Sequence, residues 1–194
     1  MTINPNNVIL VDVDGPCADF DAQVIQMCTK YEMPLPKGIR VGVLSAIQTQ
    51  FGQAQYETTK QLLGVETERN HTFKVIPGAQ QAIATLRDHG YVIHWCTSPL
   101  DTSSTWCSDR VDWIAHHFGV RDSKNPWLDV TFTKEKSLVR GLTLIDDWDY
   151  HITQWNIVNA PTKYAMWFNQ SRAGDRFYWE GLTQRILKQC PISF

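Results

Sequence analysis

Two aspartates, Asp12 and Asp14, stand either side of Val13 at the end of a short apolar run, and Gly15 follows them. Carboxylates this close at a strand terminus repel each other, and a divalent cation or a shared phosphate-handling task justifies holding them there. Gly15 permits a sharp turn and exposes backbone N–H groups to an anion. Asp-Gly pairs also occur in ordinary turns, so the motif by itself reads equally as a polar strand end. Thr97-Ser98-Pro99 sets a hydroxyl directly after a second apolar run, Lys136 lies upstream of a third, and Asp146-Asp147 ends that third run. Singly, each has a plainer reading: Thr97 as a helix N-cap, Lys136 on a solvated helix face, the acidic pair as a helix start. Two acidic pairs, a hydroxyl and a lysine at successive strand ends together make a phosphate-plus-metal site, and catalysis is the expectation.

Those side chains need a scaffold that delivers strand ends to one edge. Val8-Ile9-Leu10-Val11 is a continuous β-branched run, the pattern of a strand buried on both faces of a parallel sheet. Residues 91–96 and 142–145 repeat it, and residues 128–132 and 164–168 do so more weakly. Helical periodicity lies between: Ala79, Ala82, Ile83 and Leu86 after Pro77-Gly78; Val111, Ile114 and Phe118 before Gly119; Trp179, Leu182, Ile186 and Leu187 near the end. Strands alternating with helices predict right-handed βαβ crossovers and an open parallel sheet, with ligands at its carboxyl edge. Residues 20–75 break the alternation with helical stretches near 22–31, 43–51 and 54–63 and a loop at 33–38. The expected organisation is an α/β core from residues 1–19 and 76–194, with a small helical cap from residues 20–75 inserted after the first strand.

Composition narrows the classes further. The 194 residues are 43% hydrophobic and 20% charged, which excludes disordered, collagenous and coiled-coil chains. Eighteen Lys and Arg against twenty Asp and Glu leave a net charge of −2, without the basic excess of a nucleic-acid polymer binder. Five widely spaced cysteines without a CxxC pair read as reduced thiols. The first apolar run is too short for a membrane span and lacks a basic leader, so a cytoplasmic protein is expected.

The four motifs, Asp12-Val13-Asp14-Gly15, Thr97, Lys136 and Asp146-Asp147, resemble in order those of the haloacid-dehalogenase-like phosphohydrolases. Within them, the stretch from Asp12 to Phe20, Cys96-Thr97-Ser98-Pro99-Leu100, and Lys136 ten residues before Asp146 are similar to the 5′(3′)-deoxyribonucleotidases. Pro16-Cys17 departs from the family's usual apolar pair. The resemblance implies a Rossmann-like core and a phosphoric monoester hydrolase that takes a small-molecule nucleoside monophosphate. It implies Asp12 as nucleophile, Asp14 as acid and base, and Lys136 and Thr97 on the phosphate oxygens. Mg²⁺ would be held by Asp12, the Asp14 carbonyl and Asp147, with Asp146 behind them. Backbone N–H groups of Asp14, Gly15 and Ser98 would line the phosphate cradle, with Lys134 nearby. The second aspartate argues against a dehalogenase, whose leaving group needs no proton.

Phe20 is, by the same resemblance, the ring that stacks on the base, and it reads equally as a core residue opening the first cap helix. Phe51 and Tyr56 are weaker candidates, and Trp148 is the tryptophan expected to touch the site. His116, His117 and His151 lack ligand spacing with the cysteines and read as surface or satisfied helix positions. The 101–109 loop is a candidate gate. Two other functions stay open: the same chemistry on a sugar phosphate or other small phosphomonoester, and a non-catalytic nucleotide-binding module. Base, sugar and phosphate position are not legible, and a homodimer stays open.

Overall fold

Val8–Val11 (β1) is buried along its whole length, as its β-branched run requires. The computed structural model describes residues 4–66, 73–159, 163–175 and 177–191. Within them β1 is the centre of a five-stranded parallel sheet of order β3-β2-β1-β4-β5. The other strands are β2 (Val92–Thr97), β3 (Val130–Phe132), β4 (Thr143–Asp146) and β5 (Met166–Trp167). Val11 pairs with Trp95 on one side and Ile145 on the other.

Seven α-helices are described: α1 (Phe20–Lys30), α2 (Val43–Phe51), α3 (Gln53–Glu66), α4 (Ala79–Asp88), α5 (Trp106–Phe118), α6 (Asp149–Asn159) and α7 (Tyr178–Gln189). The period of two in the strands sorts the core into layers. Ile9, Val11, Ile93, Trp95 and Ile145 face one way and pack with α4, α5 and α7 through residues such as Ile83, Ile114 and Trp179. Val8, Leu10, Cys96 and Leu144 face the other way and meet Trp155 of α6. A separate cluster, Val24, Met27, Cys28, Val43, Ile47 and Leu63, belongs to α1–α3 alone. Asp21 ties that group together, its two carboxylate oxygens accepting from the Gly42 and Val43 amides at the start of α2.

Two weak strands come out shorter than their apolar runs. Residues 126–129 form a 3₁₀ turn opened by Pro126, so only Val130–Phe132 pairs with β2. Of residues 164–168 only Met166 and Trp167 pair with β4. The α6 helix had no clear periodic signature, because Ile157 and Val158 are exposed and smear the stripe made by Ile152 and Trp155. Of the two segments expected from the sequence, residues 1–3, 67–72, 160–162, 176 and 192–194 lie outside the described residues.

Candidate active site

The sheet order reverses beside β1: the chain runs outward to β2 and β3, then returns to β4 on the opposite side. Such a switch point opens a crevice at the carboxyl ends of the two strands. Asp12 follows β1 directly, and its amide still donates to Ile145 O at 2.9 Å. Asp146 is the last residue of β4, and Asp147 comes next. Carboxylate oxygens of Asp12, Asp146 and Asp147 consequently lie within 4.8 Å of one another. Thr97 ends β2, and Lys136 opens the 3₁₀ turn Lys136–Leu138 between β3 and β4.

Lys136 is buried between two of these acids, its Nζ 2.8 Å from Asp12 Oδ1 and 2.7 Å from Asp146 Oδ2. Burial alone would strip its proton, but the two carboxylates outweigh that and hold its pKa above the ordinary lysine value. Asp146 is saturated: Oδ2 also faces His151 Nδ1 at 3.2 Å, and Oδ1 accepts from the Trp148 amide at 2.9 Å. Burial works against its ionisation, yet the His151 and Lys136 contacts prevail and its pKa is lowered. For Asp147, Lys136 pulls the same way but is outweighed. Burial first, then the charges of Asp12 and Asp146, push it well above the usual carboxylate range. Burial likewise raises Asp12 to about 7, in spite of Lys136. Buried acids that resist ionising are what a cation would relieve, and the all-oxygen donor set suits a hard divalent ion.

Gly15 sits in this arrangement by necessity. Its φ of +100° belongs to the region that favours glycine, and an added Cβ would run into the Asp147 carboxylate and lie 2.5 Å from Gln170 Nε2. Its amide donates to Ala18 O at 2.9 Å, so Gly15 contributes the turn and the space beside Asp147, and its N–H is already committed within the loop. The loop is pinned further by Trp179 Nε1 donating to Pro16 O at 2.9 Å, with Cys17 buried beneath it. Gly15→Ala is expected to cost about 1–3 kcal/mol for the strained φ and to weaken divalent-cation binding, both readable from thermal melts with and without Mg²⁺.

The acids open into a cavity of about 500 Å³, within the range of small-molecule sites. Asp12, Asp14, Ser98 and Asp147 form its polar floor. Phe20, Leu100, Trp106 and Trp148 give it aromatic and aliphatic walls, and Val41, Gly42, Leu44 and Ser45 at the start of α2 face them. Phe20 serves both readings given to it, since it also packs against the core and against the α1–α3 cluster. Phe51 and Tyr56 are not among the cavity-lining residues. The Thr97 hydroxyl, at the carboxyl end of β2, is buried without a hydrogen-bond partner among the described residues. Lys134 is turned away: it is exposed and pairs with Asp101, which also pairs with Lys60 of α3. That clasp, with Thr102 Oγ1 donating to Lys60 O, fixes the stretch after β2 against α3, and the expected 101–109 loop is shorter than its polar run because α5 begins at Trp106.

Three site residues went unnoticed in the sequence, and a fourth, His151, was read as structural. Trp106 lines the cavity, and Gln170 lines it beside Gly15. His151 is buried with Nδ1 on Asp146, but its Nε2 is buried without a partner among the described residues, so it is not the satisfied helix position of its plainer reading, and it also borders the cavity. Arg110 of α5 is buried and forms an ion pair with Asp14. Burial pushes the Asp14 carboxyl up, and Arg110 opposes this. The signal for Arg110 was a charge set in an apolar stripe, four residues after Trp106 and three before Trp113.

Comparison with known proteins bears on this geometry. Residues 6–171 match the family described as 5′ nucleotidase, deoxy (pyrimidine), cytosolic type C protein. A Chlorobaculum tepidum protein named provisionally as a 5′(3′)-deoxyribonucleotidase is 28% identical over 161 residues, spanning 79% of this chain and 76% of its own. The cytosolic-type 5′(3′)-deoxyribonucleotidase of Homo sapiens is 26% identical, over 73% of this chain and 70% of its own. The mitochondrial 5′(3′)-deoxyribonucleotidase of Mus musculus is 24% identical, over 72% of this chain and 63% of its own.

Proposed function

The chain belongs to the cytosolic type C 5′-nucleotidase family, within the haloacid-dehalogenase-like hydrolases, and on that premise we propose that it is a Mg²⁺-dependent phosphatase of nucleoside monophosphates acting through an aspartyl-phosphate. It is a phosphoric monoester hydrolase. The observation that carries the finer reading is the meeting of Asp12 and Asp147 at one point of the crevice, open to a cavity with an aromatic wall.

Asp12 attacks phosphorus in line, through the carboxylate oxygen not held by Lys136. Lys136 offsets the repulsion between that carboxylate and the incoming phosphate, and the unpartnered Thr97 hydroxyl takes a phosphate oxygen. Asp14 protonates the departing nucleoside oxygen, because an alkoxide is a poor leaving group, and then takes a proton from the hydrolytic water. Asp12, Asp147 and the Asp14 carbonyl would hold Mg²⁺, which when bound would supply positive charge to the phosphoryl oxygens. Asp146 keeps Lys136 in place from behind. The α1–α3 segment, residues 20–75, serves as the cap over the leaving group, with Phe20 as a platform for the base. Among the described residues no helix is long and apolar enough to cross a membrane. A cytoplasmic setting is supported by five free cysteines and by the cytosolic-type human relative.

A panel of deoxy- and ribonucleoside 5′- and 3′-monophosphates beside sugar phosphates, read as phosphate release with and without Mg²⁺, tests this reading. Preference for nucleotides is the expected result, and a preference for sugar phosphates would move the leaving group to another class. Tight nucleotide binding without Mg²⁺-dependent release would leave a binding module.

The titration of the acids gives a second expected outcome. Because Asp12 sits near 7 in the metal-free fold, against 3.8 as its ordinary value, the folded state holds a proton that the unfolded chain has lost between those values. For this group, stability therefore falls as pH rises from about 4 to about 7, and stays lowered above it. Asp146, with a lowered pKa, contributes the opposite sign, but only below its ordinary value of 3.8. A cation restores what ionisation costs. Mg²⁺ should raise the melting midpoint more at pH 8 than at pH 6, with protons released on binding, measurable by calorimetry in two buffers of different ionisation heat.

A further inference from the structure

Arg110 is an expensive residue to keep where it is. It is 3% exposed, and its guanidinium carbon lies 3.9 Å from the centre of the Phe73 ring, 4.4 Å from that of Trp106 and 5.8 Å from that of Trp113. Its Nε is buried without a hydrogen-bond partner among the described residues. Its ion pair is with Asp14, through Nη2 and Oδ1, and this is the one side-chain hydrogen bond Asp14 makes among the described residues. A buried charge inside three aromatic rings is no better for stability than an apolar side chain of similar volume. What an apolar side chain there cannot do is hold the Asp14 carboxyl.

We infer that Arg110 is a positioning residue: clamped by Phe73, Trp106 and Trp113, it holds the Asp14 carboxyl at the cavity floor for proton transfer to the leaving group. The inference rests on the phosphatase reading above and deepens it. Rings supply rigidity that a flexible surface arginine lacks, since cation–π contacts fix the plane of the guanidinium. The same cluster of rings borders the cavity. Trp106 and Phe20 both line the cavity, Phe20 stacks on Phe73 with centroids 6.2 Å apart, and Phe73 meets Trp106 edge-on at 5.9 Å. A base or sugar lodged against Phe20 and Trp106 presses on the rings that clamp Arg110. Occupancy of the leaving-group pocket and placement of the proton donor thus share one structural element, built from α1, α5 and the segment before α4.

The test separates an acid held in place from a fold held together. Arg110→Met, Arg110→Gln and Arg110→Lys are compared with wild type on a deoxynucleoside 5′-monophosphate, whose alkoxide needs a proton, and on p-nitrophenyl phosphate, whose phenolate does not. The expected result for Arg110→Met and Arg110→Gln is a fall in kcat of about 10²-fold on the nucleotide, with KM changed by less than about threefold. The first-turnover burst of p-nitrophenolate keeps its wild-type rate, because forming the aspartyl-phosphate from this ester does not call on Asp14. Arg110→Lys restores about tenfold of the loss by supplying a cation to the same carboxyl. A slowing of the p-nitrophenolate burst equal to the loss on the nucleotide, a rise in KM alone, or no rescue by lysine in a variant that melts like wild type overturns the inference and leaves the phosphatase reading intact. Failure of wild type to release phosphate from any monoester overturns both. Should Arg110→Met and Arg110→Gln both fail to fold while Arg110→Lys folds and matches wild type on each ester, the role is structural and the inference fails.

Discussion

Asp12→Asn is expected to abolish phosphate release, by about 10⁴-fold or more, while the protein stays folded. Asparagine keeps the shape and the oxygen that accepts from the Val13 amide at 2.8 Å, but its neutral amide does not attack phosphorus. The fold gives nothing up. In the metal-free state the Asp12 carboxyl is one that burial pushes up to about 7, so removing its charge removes a desolvation cost near neutral pH. Lys136 loses one of its two carboxylates and keeps Asp146 at 2.7 Å. The expected signature is a dead enzyme whose melting midpoint in chelator is equal to or above that of wild type, and whose gain from Mg²⁺ is reduced. A phosphoryl group found by mass spectrometry on the Asp12 peptide of substrate-quenched wild type, and absent from the variant, identifies the nucleophile. Turnover within tenfold of wild type in Asp12→Asn would sink the assignment.

The chemistry at strand ends was legible for a physical reason. A parallel sheet closed off by helices on both faces admits acids only at its edges, so Asp12 directly after Val8–Val11 and Asp146 directly after Leu144-Ile145 had to lie at a carboxyl end. Adjacency of the two ends was a further step, and it came from the return of the chain to the β1 side for β4. Orientation within short connections was not legible. Lys134 and Lys136 stand two residues apart, and a single 3₁₀ turn buries the second between Asp12 and Asp146 while the first pairs with Asp101 at the surface. Gly15 was read for its turn and its amide; the turn stands at φ +100°, the amide is committed to Ala18 O, and the closeness of Asp147 was not legible. Arg110 was hidden because its partner lies 96 residues away in the chain, and no local pattern announces a partner that distant.

Lys136→Met is expected to damage stability and turnover together, and the two losses have different remedies. Methionine nearly preserves the volume of a residue that is 1% exposed, so the change isolates the charge. Without it, Asp12 and Asp146 face each other across a buried space with their common cation gone. Breaking a buried pair from one side costs about 3–5 kcal/mol, or about 2–4 °C of melting midpoint for each kcal/mol in a chain of this length. At neutral pH that loss is felt in full: a lysine held above its ordinary 10.5 contributes its stability below that value and surrenders it only on titration at still higher pH. Adding Asp146→Asn to Lys136→Met removes the second stranded charge and should return much of the lost stability. Turnover should not follow. Removing Lys136 takes away the cation that lowers the Asp12 carboxyl in the metal-free fold and that offsets its repulsion with the incoming phosphate. The phosphate also loses a buried donor, a loss of about 10²–10³-fold, and the acid limb of the residual pH profile shifts to higher pH. If the double variant regains activity along with stability, Lys136 is only a structural counter-charge to Asp146. If stability alone returns, the lysine acts on the nucleophile and its phosphate.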